Sequence, residues 1–186
     1  MSRNPHVRLA AAPPELAAGG PVEFGELFAH YGRYVARLAA RLLGQGDAEV
    51  DDVVQEVFWL ALRRLPKIAD MIQARGWLAT VTTRLVGRRL RRRRFRALFH
   101  ASSHGASFRG QEVPAPGATA EQRALLGRLY EVLETLPTDQ RLAWSLRYLE
   151  GEPLDLVAAA CGCSLATAKR RVSAAKKVIE EVFGDE

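Results

Sequence analysis

Apolar residues return every three or four positions through most of this chain, and no stretch sustains a strand-like alternation. Phe24, Leu27, Phe28, Tyr31, Val35, Leu38, Ala39 and Leu42 make one stripe of a first helix, which Gly44 and Gly46 end. A second helix is predicted from about Ala48 to Leu65, where Pro66 stops it. A third starts near Ala74 and carries Trp77, Leu78, Val81 and Leu85 into a run of arginines. Periodicity returns after residue 120. Leu125, Leu126, Leu129, Val132, Leu133 and Leu136 form a stripe that Pro137 ends. Thr138 is placed to cap the next helix, in which Leu142, Leu146 and Leu149 recur before Gly151.

The pattern predicts an all-α chain with two small helical domains joined by a flexible linker. Residues 1–20 hold Pro, Ala and Gly with little periodicity and are expected to be a disordered tail. Residues 21–100 form the first helical domain. Residues 101–119, rich in Ser, Gly, Ala and Pro, read as the linker. Residues 120–186 form the second. At about 60–80 residues each, the two domains sit near the lower limit for independent folding, with modest cores.

The second domain ends in a helical hairpin. Pro153–Cys161 has helix length, a Gly-Cys-Ser turn follows, and a basic helix begins at Leu165. Leu165, Ala168, Val172, Ala175 and Ile179 share one face of it, predicted to be buried. Thr167, Lys169, Arg170, Ser173 and Lys177 project elsewhere, and Ser164 is placed to cap the helix. Two helices, a short Gly-containing turn and cationic side chains early on the second match the layout of a DNA-reading helix-turn-helix.

Charge strengthens a nucleic-acid reading. The net charge is +6, and Arg84–Arg96 holds eight arginines in thirteen residues with no acid among them. On a duplex such a run gives strong, salt-dependent affinity through counterion release. A solvated face is the usual reading of scattered charge but fits a dense single-sign block less well. The segment lacks the broad apolar face of a membrane-surface helix.

The second helix carries a different signal. Val50, Val53, Val54, Val57 and Ala61 lie together and are expected inside. Asp52, Gln55, Glu56 and Trp59 lie on another side. An acidic face repels phosphate, so with its Trp it is a candidate protein-docking surface. The alternative, favoured by residue chemistry alone, puts Trp59 in the core and leaves the acids solvated.

Other chemistries find little support. Cys161 and Cys163 lie one residue apart, too close to pair readily, and fit a reduced, cytoplasmic compartment. No histidine spacing completes a metal site around them, and no cofactor is expected. The early apolar run is broken by Pro13, Pro14 and Glu15, unlike a signal peptide. No stretch approaches the ~18–20 apolar residues of a membrane span, so no membrane insertion is expected.

Three segments together resemble the extracytoplasmic-function (ECF) group of bacterial RNA polymerase sigma factors. EVDDVVQEVF, residues 49–58, is similar to D-A-E-D-L-V-Q-E-V-F of the family's region 2. GWLATVTTRLVGRRLRRRRFR, residues 76–96, is similar to the W-L-x-x-I-A-R-N-L-x-x-D-x-x-R-R-x-x-R stretch that follows. Residues 133–179 resemble region 4, with its L-P-x-x-x-R, its Y-L-E-G and its T-V-K-x-R helix. The order and the intervening linker match as well, over about residues 22–183.

The resemblance implies a two-domain initiation factor without catalysis of its own. Its partners would be core RNA polymerase, promoter DNA and an anti-sigma factor. Asp51, Asp52, Gln55, Glu56 and Trp59 would dock on polymerase. Trp77, Arg84, Arg88, Arg91, Arg92 and Arg93, with the loop around Lys67–Gln73, would engage the −10 element. Thr167, Lys169, Arg170, Arg171, Ser173 and Lys177 would read the −35 element.

The chain also departs from the pattern. Arg84 and Arg88 stand where Asn and Asp are common, which adds backbone attraction near the −10 element. The frequent E-I-A becomes Leu156-Val157-Ala158, and S-R-A becomes Ser173-Ala174-Ala175. Arg170 stands where Ser is frequent and is placed for a bidentate contact to guanine. A stand-alone helix-turn-helix regulator is the competing reading, and the acidic face argues against it. A nuclease is more distant, because the acids are segregated from the basic segments instead of gathered around a metal.

Overall fold

The computed structural model describes residues 23–44, 47–64, 70–99 and 119–184. These form helices and turns, with no strand among the described residues. The first helical unit holds α1 (Phe24–Leu43), α2 (Val50–Arg64) and α3 (Met71–Phe99). The second holds α4 (Ala120–Thr135), α5 (Thr138–Trp144), a π-helical turn (Ser145–Leu149), α6 (Leu154–Cys161) and α7 (Leu165–Phe183). The tail expected over residues 1–20 lies outside the described residues, as does the expected linker apart from Thr119.

Short polar side chains set several helix starts. The Thr119 hydroxyl accepts from the Gln122 backbone N–H while the Gln122 side chain accepts from the Thr119 N–H. This reciprocal pair satisfies two of the free donors that begin α4. Helix α3 starts before the predicted Ala74 because Asp70 caps it, with Oδ1 accepting from Gln73 N–H at 2.7 Å. Thr138 does not cap α5. It is the first helical residue, and Pro137 holds the cap position with φ −52°.

In α1, Leu27, Tyr31, Val35, Leu38, Ala39 and Leu42 are buried as the stripe predicts. Phe24 is only partly buried, and Phe28 departs further. It is half exposed and lays its ring against Phe58 at 4.8 Å between centroids. In α2, Val53, Val57, Phe58 and Ala61 go inside, while Val50 and Val54 are only partly covered.

The two units share one core. Leu38, Leu42, Val53, Leu78 and Val86 of the first lie in one continuous buried cluster with Leu142, Leu146, Val157 and Ala168 of the second. Gly87 eases this approach, since any side chain there would force the Leu142 methyl to move. A Cβ there would stand 2.9 Å from Leu142 Cδ1, inside the ordinary carbon–carbon contact distance of ~3.5–4.0 Å. A smaller cluster of Leu133, Leu136, Trp144, Ala175 and Ile179 belongs to the second unit alone.

The seam is also capped from both sides. The last carbonyls of a helix lack intrahelical donors. Arg141 of α5 donates to the carbonyl of Leu43, the last residue of α1, at 2.7 Å. Arg41 of α1 donates to the carbonyl of Leu149, the last residue of the π-helical turn, at 2.8 Å, and to Glu150 Oε1 at 2.8 Å. Arg94 of α3 likewise donates to the carbonyl of Leu136 at 2.7 Å. Glu152, only 5 % exposed, accepts from Arg75 at 2.7 Å and from the Tyr34 hydroxyl at 3.5 Å. Burial, opposed by the charge of Arg75, holds the Tyr34 phenol well above its ordinary pKa.

Candidate nucleic-acid interface

The hairpin is built from local signals. Gly162 has φ +64°, the left-handed conformation that a Cβ disfavours. That turn lets Cys163 N–H reach the Ala158 carbonyl at 3.0 Å and Gly162 N–H reach the Ala159 carbonyl at 3.2 Å, closing α6. Ser164 then caps α7, its hydroxyl accepting from Thr167 N–H at 3.2 Å as the sequence implies. Ala168, Val172, Ala175 and Ile179 are buried. Leu165, predicted to join them, is 45 % exposed, because the first turn of α7 projects beyond the core.

The remaining faces of α7 are polar and open. Lys169, Arg170, Ser173 and Lys177 are exposed. Arg170, Ser173 and Lys177 fall at i, i+3 and i+7 and share one stripe. The Arg170 guanidinium donates to Thr167 Oγ1 at 3.3 Å, and Thr167 Oγ1 lies 2.9 Å from Ser164 Oγ. Arg171 is turned elsewhere: it is half-buried and donates to Asp139 Oδ2 at 2.6 Å.

The arginine run on α3 divides into two groups. Arg84, Arg92 and Arg96 are exposed, with no ion pair to a described residue. Arg88 is exposed and only 3.6 Å from Glu56. Arg84, Arg88 and Arg91 border a groove of about 450 Å³ whose floor is Leu60, Val81 and Leu85. Trp77 is half-buried and packs on the shared core.

The other arginines are committed to the protein. Arg89 pairs with Glu56 at 3.0 Å and with Glu49 at 3.5 Å. Arg91 donates to Asp139 Oδ1 at 3.1 Å. Arg93 donates to Asp47 Oδ1 at 2.8 Å and to Glu49 Oε1 at 2.6 Å. Of the Arg91–Arg93 triplet, only Arg92 has no such partner among the described residues. The sequence segment contains no acid, but Asp47 and Glu49 reach it from before α2 and Asp139 from α5.

Asp47 illustrates what Arg93 does. Burial alone would raise its pKa. Hydrogen bonds from Arg93 and from the Glu49 backbone N–H outweigh that and hold it below the usual carboxylate range. The stabilisation is therefore complete above the ordinary Asp pKa of ~3.9 and is lost as pH falls through the lower folded value. Arg93→Ala should cost about 1–2 kcal/mol of stability at pH 7 by leaving the buried carboxylate short of donors. Urea denaturation should show that penalty shrinking below about pH 4, and a penalty independent of pH would rule out this role.

The acidic face of α2 is assembled as a surface. Asp51, Asp52 and Gln55 are exposed, and neither carboxylate makes an ion pair with a described residue. Trp59 is 51 % exposed, with the Arg63 guanidinium 3.6 Å from its ring centroid. The reading that puts Trp59 in the core does not hold, because Phe58 takes the inward position. Glu56 is partly neutralised by Arg88 and Arg89. The acidic face is thus narrower than the sequence suggests and centres on Asp51, Asp52 and Trp59.

Cys161 and Cys163 are free and half-buried. Burial, aided by the neighbouring Cys163, pushes the Cys161 thiol up to about 12. Among the described residues, no three potential metal-ligating side chains gather into a site, and no helix is long and apolar enough to cross a membrane.

Comparison with known proteins bears on all these surfaces. The profile of Sigma-70 region 2 matches residues 27–96, and that of Sigma-70, region 4 matches residues 126–179. The "Probable RNA polymerase sigma factor RfaY" of Xanthomonas campestris pv. campestris is 29 % identical over 171 residues. That match covers 89 % of this chain, which spans only 42 % of that relative. The ECF RNA polymerase sigma factor EcfG of Rhodopseudomonas palustris is 31 % identical over 145 residues, 78 % of this chain and 76 % of its own. A solved structure of CnrH in complex with the cytosolic domain of CnrY superposes with a TM-score of 0.57 at 26 % identity, covering 88 % of each chain. With both sigma regions present in order on matching helices, the chain belongs to the ECF group of RNA polymerase sigma factors.

Proposed function

We propose that the chain binds core RNA polymerase and directs it to a set of promoters, acting in the cytoplasm without catalysis of its own. The observation that carries this reading is the segregation of surfaces. Asp51, Asp52 and Trp59 form an acidic and aromatic face on α2, while exposed cations lie on α3 and α7. A stand-alone DNA-binding regulator has no need of the first surface.

In this reading, Asp51, Asp52, Gln55 and Trp59 dock on polymerase, with Glu56 contributing less because two arginines already hold it. Arg84, Arg88 and Arg92 contact DNA near the −10 element, and the half-buried Trp77 supports the helix that presents them. Arg93 braces the segment before α2. On α7, Arg170 reads a base, with Ser173 and Lys177 on the same stripe, and Lys169 holds a phosphate. Thr167 orients Arg170. An anti-sigma partner fits the family resemblance.

The test of the whole reading is transcription. Added to purified core polymerase, the chain should start transcripts at promoters that core enzyme alone ignores, and failure on a genomic promoter library would overturn it. The test of the residue roles is a library of −35 variants. Arg170→Ala should relax one base position, losing about 1–3 kcal/mol of discrimination, whereas Lys169→Ala should weaken all sequences together. The reverse pattern would exchange the two roles.

A further inference from the structure

We propose that Asp139 is an internal stand-in for a DNA phosphate, holding Arg91 of α3 across the seam until the two helical units separate, while Arg171 of its own unit takes the other carboxylate oxygen. The proposal rests on the reading above, that the arginine run of α3 and the face of α7 meet DNA.

Asp139 lies in the first turn of α5, between those two elements. Its two carboxylate oxygens are divided between them. Oδ1 accepts from Arg91 of α3 at 3.1 Å, and Oδ2 accepts from Arg171 of α7 at 2.6 Å. A phosphate group offers the same thing to a pair of arginines: two anionic oxygens side by side. Both cations are therefore spoken for in the closed molecule.

The geometry also conflicts with simultaneous use. Arg91 and Arg171 stand within a few ångströms of one carboxylate. The −10 and −35 elements lie roughly 25 base pairs apart, about two and a half helical turns or ~85 Å of duplex. The closed molecule cannot span that distance with these two residues. Reaching both elements requires α3 and α7 to part, and parting them breaks the Asp139–Arg91 pair, whereas Arg171 stays in the unit that carries Asp139.

The pairs are suited to reversible release. Asp139 and Arg91 are half exposed, so solvent screens the interaction and water can replace it. Nearby, Arg141 is buried in the seam with a backbone carbonyl as its hydrogen-bond partner, its Nε unsatisfied, and no ion pair to a described carboxylate. Opening returns that charge to water, which favours separation. Arg41–Glu150 and Arg75–Glu152 oppose it from the other end of the seam.

Asp139→Asn keeps the shape and removes the anion. The test measures binding of the full chain, without polymerase, to a random-sequence 30-base-pair duplex across a range of salt. Asp155→Asn, at an exposed acid of α6, makes the same change in net charge and is the control. Asp139→Asn should bind more tightly than this control, and its plot of log K against log salt should be steeper by about 0.9 for each arginine released. The excess should vanish when Arg91→Ala and Arg171→Ala are added. If Asp139→Asn and Asp155→Asn behave alike while both bind, the effect is net charge alone and the stand-in role fails. If no variant binds DNA even at low salt, the DNA-facing reading fails and takes this proposal with it.

Discussion

Trp59→Ala combined with Asp52→Lys should weaken binding to core RNA polymerase by roughly 30-fold or more, the scale of losing one interface hot spot. Both side chains are exposed on α2 and lie outside the buried face of Val53, Val57 and Ala61. Removing Trp59 forfeits its stacking with Arg63 and the packing of its covered half, but no fully buried side chain. Asp52 lies in the first turn of α2, where the helix dipole favours an acid, so reversing its charge should cost the fold no more than about 0.3–1 kcal/mol. Binding should therefore fall far more than stability. Titration against fluorescently labelled core enzyme, with circular dichroism as a check on helix content, measures both. Wild-type affinity in the double variant would remove the docking assignment.

Leu146→Ala should destabilise the whole chain by about 2–5 kcal/mol, the range for truncating a fully buried leucine. Leu146 is 1 % exposed and lies in the cluster that also contains Leu38 and Leu78 of the first unit. The loss should therefore appear on both sides of the seam. Native-state hydrogen exchange reads this directly: backbone amides in the middle of α1 and of α7 should lose protection together. Lost protection confined to α4–α7 would mean that the two units are stabilised separately despite their contact.

Helix existence and the two-unit order were legible in the sequence because both follow from local periodicity. The cap at Ser164 and the turn at Gly162 were legible for the same reason, since each acts within a few residues. Thr138 misled because Pro137 takes the cap position itself, with its fixed φ. Leu165 misled because spacing assigns a residue to a face but not to the part of that face a neighbour covers. The arginine run was the hardest to read. Its lack of acids is a local fact, whereas Asp47, Glu49 and Asp139 arrive through tertiary packing. No window of sequence contains both partners. Trp59 and Phe58 show the same limit on a smaller scale: either aromatic suits the core, and only the rotation of α2 against α1 decides between them.

Gly87 bears on how this protein can be recombined. Its missing side chain leaves room chiefly for the Leu142 methyl, which a Cβ would meet at 2.9 Å, and beside it for the Arg91 guanidinium at 3.4 Å. Grafting the promoter-reading half of a relative onto this α1–α3 would set an unselected residue opposite that gap. A larger residue would hold the halves apart, and a smaller one would leave a void. Chimeras intended to rewire promoter choice should therefore exchange positions 87 and 142 as a pair, whichever junction is chosen.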